Sequence, residues 1–160
     1  MIWEQLRENL ILMDMDSKSS DEVFEQLGGT LVKEGFCKES YVDALKIREK
    51  DYPTGVDMEG VCFAMPHTDR THVNEMAIAV GIPRKDVSFM HMGTTDQEVK
   101  ARLILMLAVT DPNAHIDTLQ CLIGLFQDPG FMERIRKAAD PEEVIAVFKA
   151  QEEYSEEKGA

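Results

Sequence analysis

Three short apolar runs sit in the middle of the chain, each cut off by turn residues: "VCFAM" (61–65), "MAIAVGIP" (76–83) and "RLILMLAVT" (102–110). Runs this short, with so little polar surface, read as strands buried on both faces. "VSFMHM" (87–92) alternates apolar and polar residues and reads as a further strand. A sheet buried on both faces needs helices on both sides, and the flanking sequence supplies them. "SSDEVFEQLGGTLVKEGF" opens with Ser19 three residues before Glu22, a capping-box pattern. Val23, Phe24, Leu27, Leu31 and Val32 then fall at helical spacing and Gly35 closes the run, which predicts a helix over 20–34. Gly28 and Gly29 inside it each cost about 1 kcal/mol relative to alanine, a sign of close packing. A second helix is predicted from Ser40, as N-cap, to about Lys50, with Val42, Leu45 and Ile47 on its buried face.

After the strands, "AHIDTLQCLIGLFQ" places Ile116, Leu119, Leu122, Ile123 and Phe126 at helical spacing. "PGFMERIRKA" and "DPEEVIAVFKA" add two more helices, the latter with Asp140 as N-cap and Pro141 at the first helical position. The expected fold is a single α/β sandwich over 1–150, a mixed sheet flanked by helices on both sides. The link "GIPRKDV" is too short for a crossover helix, which argues against an all-parallel sheet. The last ten residues, "QEEYSEEKGA", read as an acidic, disordered tail over 151–160.

The charge balance narrows the function. Thirty acidic residues against 17 basic ones leave a net charge of −13. That excludes a protein built to grip nucleic-acid phosphates and disfavours an anionic membrane surface. A partner with its own basic patch remains compatible. The longest apolar stretch, "LILMLAV", is far too short to cross a bilayer, and "MIWEQLRENLILMDMD" has no secretory-signal pattern. Three widely spaced cysteines without a C-x-x-C pair suggest neither a zinc ribbon nor a disulfide framework. Cys62 and Cys121 read as reduced core residues, and a cytoplasmic location is expected.

Searches for nucleotide loops, serine-hydrolase elbows and zinc-protease helices find nothing. What stands out is "GVCFAMPHTDRTH" (60–72). Pro66 fixes its own φ, holds Met65 extended and delivers His67 at the end of an apolar strand, followed by the polar Thr68, Asp69, Arg70 and Thr71. Three readings of His67 stand side by side. It is a structural histidine, or part of a metal set with Asp69, His72 and His115, or a nucleophile that takes up a phosphoryl group. A neutral imidazole, with a reference pKa of about 6.5, suits the last role near pH 7.

The stretch "IREKDYPTGVDMEGVCFAMPHTD" (47–69) resembles the phosphorylation-site region of type-2 enzyme IIA domains of the bacterial sugar phosphotransferase system, the mannitol–fructose group. The shared features are Arg48–Glu49 on a helix, the turn Pro53–Thr54–Gly55, and Ala64–Met65–Pro66–His67. "REKDYPTG" is closer to the galactitol branch. "ILMLAVTDPNAHIDTLQCLIGLFQDP" is similar to the family's strand followed by a His–Leu helix.

The resemblance implies the mannitol-like enzyme IIA fold and a phosphocarrier. His67 would accept a phosphoryl group from the histidine phosphocarrier protein and pass it to a cysteine of enzyme IIB. That step would feed galactitol-like uptake through the membrane enzyme IIC. Arg48 would clamp phosphoryl oxygens, since guanidinium offers a rigid bidentate fork. His115, at the start of its helix, would add a donor or second cation, and Thr54 a hydroxyl. Asp69 or a backbone carbonyl would orient His67. No metal, organic cofactor or nucleic acid is implied. Two other readings remain: a regulatory, nitrogen-type enzyme IIA, and a metal-dependent hydrolase built on His67, Asp69, His72 and His115.

Overall fold

The computed structural model describes residues 1–94 and 96–159. In chain order the strands are β1 (Leu6–Met15), β2 (Gly55–Met58), β3 (Val61–Ala64), β4 (Ala77–Pro83), β5 (Val87–Met90), β6 (Glu98–Ala101) and β7 (Ile104–Ala108). The helices are α1 (Ser20–Val23), which runs through a π turn (Phe24–Gly28) into α2 (Gly29–Lys33), then α3 (Tyr41–Asp51), α4 (Pro112–Leu125), α5 (Pro129–Lys137) and α6 (Pro141–Gly159). Five strands form one sheet in the order β1-β4-β7-β3-β2, and β5 and β6 form a separate antiparallel pair. Within the main sheet β1 and β4 run parallel, as do β3 and β7, while β4–β7 and β2–β3 are antiparallel. The sheet is therefore mixed, as expected. The link after β4, however, does not join sheet neighbours: it leads to β5, in the small pair.

The continuous apolar character of β4 and β7 has a direct cause. Ile78, Val80, Ile82, Leu105 and Leu107 face one side, packed with Leu122, Phe126, Phe131, Ile135 and Phe148 of the C-terminal helical region. The residues between them (Ala79, Ile104, Met106) face the other side, against Phe24, Leu27, Leu31, Tyr41 and Leu45. Both faces are buried, so no polar residue is tolerated in alternate positions. The small pair closes over the second face through Val87, Phe89 and Ala101.

Local signals explain much of the framework. The Ser19 hydroxyl accepts from Glu22 N–H at 3.2 Å, and Asp140 from Glu143 N–H at 2.9 Å, each capping its helix. Gly28 does pack closely: a Cβ there would lie 3.2 Å from Val42 Cγ2, whereas Gly29 faces open space. Several expectations need correction. Ser40 precedes α3 but makes no cap; its hydroxyl bonds His72 Nδ1 at 2.8 Å instead. Ile47 and Ile116 are 67% and 53% exposed, because no element covers that end of α3 or α4. Cys121 is exposed and Cys62 half-buried; only Cys37 is a buried thiol.

Residues 151–159 of the acidic end are helical, while residue 160 lies outside the described residues. The helical stretch continues α6, with Gln151 buried and Glu152 accepting from the N–H groups of Ile2 (2.9 Å) and Trp3 (2.6 Å). Glu152 thus satisfies the free donors of the N-terminal 3-10 turn (Ile2–Gln5), so this part of the carboxylate-rich run is held by contacts composition does not reveal. No described helix is long and apolar enough to cross a membrane.

Candidate active site

β3 and β7 run parallel with Ala64 opposite Ile104, so the chain beyond β3 runs on beside β7, with Pro66 O accepting from Leu107 N–H, and reaches the C-terminal end of β7. His67 follows β3 and His115 lies in the first turns of α4, directly after β7. Their rings meet there, with centroids 4.4 Å apart. β2 is antiparallel to β3, with Gly55 opposite Ala64, so the turn entering β2 reaches the same place and carries the end of α3 with it. Arg48, in the last turns of α3, joins the two histidines in lining a cavity of about 280 Å³, together with Thr68, Asp69, Arg70, Val109 and Pro112. Strand ends in α/β sheets are where ligands gather.

The backbone around His67 is held on every side. Ala64 N–H donates to Leu103 O (3.0 Å), Met65 N–H to Thr54 O (3.1 Å), and Leu107 N–H to Pro66 O (2.9 Å). Met65 is fully buried, and the following proline restricts its ψ. Its carbonyl lies 2.8 Å from His67 Nδ1. A carbonyl only accepts, so Nδ1 carries the proton and Nε2 keeps the lone pair.

The electrostatics keep this ring neutral. Burial pushes His67 down to about 4, and the nearby charges of His115 and Arg48 add to it, against the pull of the Met65 carbonyl. His115 is lowered too, by burial and by Arg48. Two polar atoms here are buried without any hydrogen-bond partner, Arg48 Nε and His115 Nδ1. Arg48 also stacks on Tyr52, 4.8 Å from the ring centre.

The other sequence candidates divide. Asp69 lines the cavity but does not orient His67; its carboxylate accepts from Thr71 N–H at 3.0 Å and caps the short 3-10 turn Arg70–His72. Thr54 is not in the cavity. It is 3% exposed, and its hydroxyl is spent on Glu49. His72 faces a neighbouring groove lined by Ile47, Arg48, Tyr52 and Thr68. Among the described residues, no group of three or more His, Cys, Asp or Glu side chains converges to hold a metal. The backbone carbonyl expected as one alternative for orienting His67 is that of Met65, while Arg70, which lines the cavity, went unassigned in the sequence. A basic residue three positions after His67 was the available signal for Arg70.

Residues 4–151 match the model of the family described as phosphoenolpyruvate-dependent sugar phosphotransferase system, EIIA 2. The chain belongs to this family. The galactitol-specific EIIA component of Escherichia coli (strain K12) is 30% identical over 114 residues, covering 71% of this chain and 75% of that protein. The complex of enzyme IIAMtl and phosphorylated enzyme IIBMtl from Escherichia coli contains a similar fold (TM-score 0.74, 23% identity, 91% of this chain and 97% of that chain). So does the nitrogen regulatory protein IIA-Ntr from Neisseria meningitidis (TM-score 0.74, 26% identity, 91% and 97%). The protein is thus an EIIA phosphotransfer component of the mannitol–galactitol family, with the α/β sandwich of the mannitol EIIA structures.

Proposed function

We propose that this EIIA component carries its phosphoryl group on Nε2 of His67. The reading rests on one observation above others: Nδ1 is committed to the Met65 carbonyl, which leaves Nε2 with the lone pair, and His67 lines one cavity with Arg48 and His115. The donor would be the phosphohistidine of the histidine phosphocarrier protein. The Nε2 lone pair forms a bond to phosphorus as the donor's P–N bond breaks, and the Nδ1 proton stays in place. In the return step a cysteine thiolate of enzyme IIB takes the phosphorus and Nε2 recovers its lone pair. Such transfers are governed by positioning and by donors to the three equatorial oxygens. Arg48, His115 and Arg70, which line the cavity, would supply them.

Ile47 and Tyr52 are exposed apolar residues on the neighbouring groove, which shares Arg48 and Thr68 with this cavity, and suit partners that dock and leave. The 30% identity to a galactitol-specific EIIA component favours a polyol uptake system over the regulatory role suggested by the likeness to IIA-Ntr. Incubation with phosphoenolpyruvate, enzyme I and the phosphocarrier protein should add one acid-labile phosphoryl group per chain by intact mass, absent in His67→Ala. Phosphorylation persisting in His67→Ala would refute the assignment. Loss of growth on galactitol in a strain lacking the gene would support the polyol reading, and unchanged growth would count against it.

A further inference from the structure

Glu49 is the neighbour of Arg48 on α3, yet its side chain leaves the helix surface and turns to the chain beyond it. Its carboxylate accepts from Thr54 N–H at 3.2 Å and from the Thr54 hydroxyl through both oxygens, one of them at 3.0 Å. Thr54 is almost wholly buried. The carbonyl of Thr54 in turn takes the N–H of Met65, and the carbonyl of Met65 takes Nδ1 of His67. A continuous run of hydrogen bonds therefore leads from Glu49 to the reacting imidazole. The same carboxylate sits one residue from Arg48, in the last turns of α3. It is the fastening between the helix that carries the guanidinium and the strand pair that carries His67.

From this arrangement we infer that Glu49 is a positioning residue for phosphoryl transfer, holding the end of α3 and the Thr54–Met65 backbone in register so that Arg48 and His67 Nε2 face the same phosphoryl group. The inference rests on His67 as the acceptor. A half-buried carboxylate in this place has a cost: burial pushes Glu49 up to about 7, with the Thr54 bonds and Arg48 pulling it back down. A surface glutamate at a helix end would need no such environment. The geometry uses hydrogen-bond acceptance rather than charge, so a glutamine should serve nearly as well as the carboxylate.

The test compares wild type, Glu49→Ala, Glu49→Gln and Thr54→Val. Two readouts are needed: the rate of transfer from phosphorylated carrier protein, and the His67 tautomer seen by 15N–1H NMR of the imidazole nitrogens in the unphosphorylated protein. Wild type should show a single tautomer with the proton on Nδ1. Glu49→Ala should show a mixture and lose on the order of 10- to 100-fold in maximal rate, the scale for misplaced reacting groups. Its apparent KM for the carrier should be unchanged, because the exposed residues of the neighbouring groove are untouched. Glu49→Gln should restore both readouts to within about 3-fold of wild type, as expected if acceptance of the Thr54 bonds is what matters. Thr54→Val, which keeps the amide donor and loses only the hydroxyl, should shift both in the same direction by less, and it supplies the answer if Glu49→Ala fails to fold. A folded Glu49→Ala with the wild-type tautomer and rate overturns the inference, as does a Glu49→Gln as impaired as Glu49→Ala. If wild type accepts no phosphoryl group on His67, the functional reading fails instead, and the tautomer comparison still reports on Glu49.

Discussion

Replacing Arg48 with alanine should slow phosphoryl transfer sharply while leaving the protein about as stable as before. In the resting protein Arg48 Nε is buried without a hydrogen-bond partner. A buried donor left unsatisfied costs about 1–3 kcal/mol, and truncation removes that cost. Against it stands the stack on Tyr52, whose ring is largely exposed. Cation–π contacts at such sites contribute about 0.5–1 kcal/mol, and the aliphatic stem adds some packing. The two sides nearly cancel, so the unfolding free energy should move by no more than about 1 kcal/mol. Transfer depends on a different quantity. When phosphorus moves to Nε2, its oxygens need a cationic fork that the resting state leaves idle. Removing one such donor typically lowers rates by 10²–10³-fold, about 2.7–4 kcal/mol. Urea denaturation followed by circular dichroism gives the first number, and quenched-flow transfer from phosphorylated carrier gives the second. Arg48→Lys should recover only part of the rate, because a point charge lacks the planar fork. Normal transfer by a folded Arg48→Ala would refute the argument. So would a rate loss fully accounted for by lost stability.

Further tests follow from the same geometry. Gly55→Ala would place a Cβ 2.7 Å from the Met90 carbonyl oxygen and 3.1 Å from Phe89 Cβ; backbone cannot yield cheaply there, so denaturant titration should show a loss of about 1–3 kcal/mol, and transfer should slow because Thr54 is the adjacent residue. Two titrations oppose each other between pH 4.5 and 6.5. His67, lowered from 6.5 to about 4, lends stability that is complete above pH 6.5 and lost as pH falls; at 1.36 kcal/mol per pH unit this is about 3 kcal/mol. Glu49, raised from 4.5 to about 7, acts in reverse, because its native state holds the proton longer than the unfolded chain and stability falls as pH rises. His67→Gln should therefore leave a stability curve that falls with rising pH in this window and Glu49→Gln one that rises, both read from urea midpoints; parallel curves for the two variants would refute the opposition.

How far the sequence spoke depended on whether a residue's task was local. β4 and β7 were legible because burial on both faces leaves an unbroken apolar run. β1 was not: its burial follows no strict alternation, and its pairing with β4 shifts register between Leu6 and Ile11 and again between Leu12 and Met15. β2 and β6, four residues each, are too short for periodicity to show. His67 was legible through Pro66, since the proline's constraint acts on adjacent residues. Glu49 was not, because a glutamate near a helix end reads as solvated until Thr54 is seen folding back onto it. Thr54 read as a hydroxyl donor to the phosphoryl group, whereas in the structure its hydroxyl donates to Glu49. Ile47 and Ile116 show the limit of helical spacing. It tells which face is apolar, not where the covering elements stop.

The site's electrostatics acquire a sense once proton and phosphoryl group are seen as rivals for one lone pair. Burial does most of the work of keeping the proton off His67, and the charges of Arg48 and His115 add to it. A proton brings positive charge to Nε2 and is repelled by Arg48. A phosphoryl group brings negative oxygens to the same point and is attracted by it. If His67 is the acceptor, as proposed, the Arg48 cation would both keep its lone pair free of a proton and stabilise the phosphorylated product. The unpartnered Arg48 Nε and His115 Nδ1 belong to the same logic. A carrier must also release what it takes. A site with every phosphoryl oxygen fully bound would trap the group, whereas on the proposed assignment the cavity adjoins a groove lined by exposed Ile47 and Tyr52, where the acceptor protein would complete the oxygens' coordination as the P–N bond breaks.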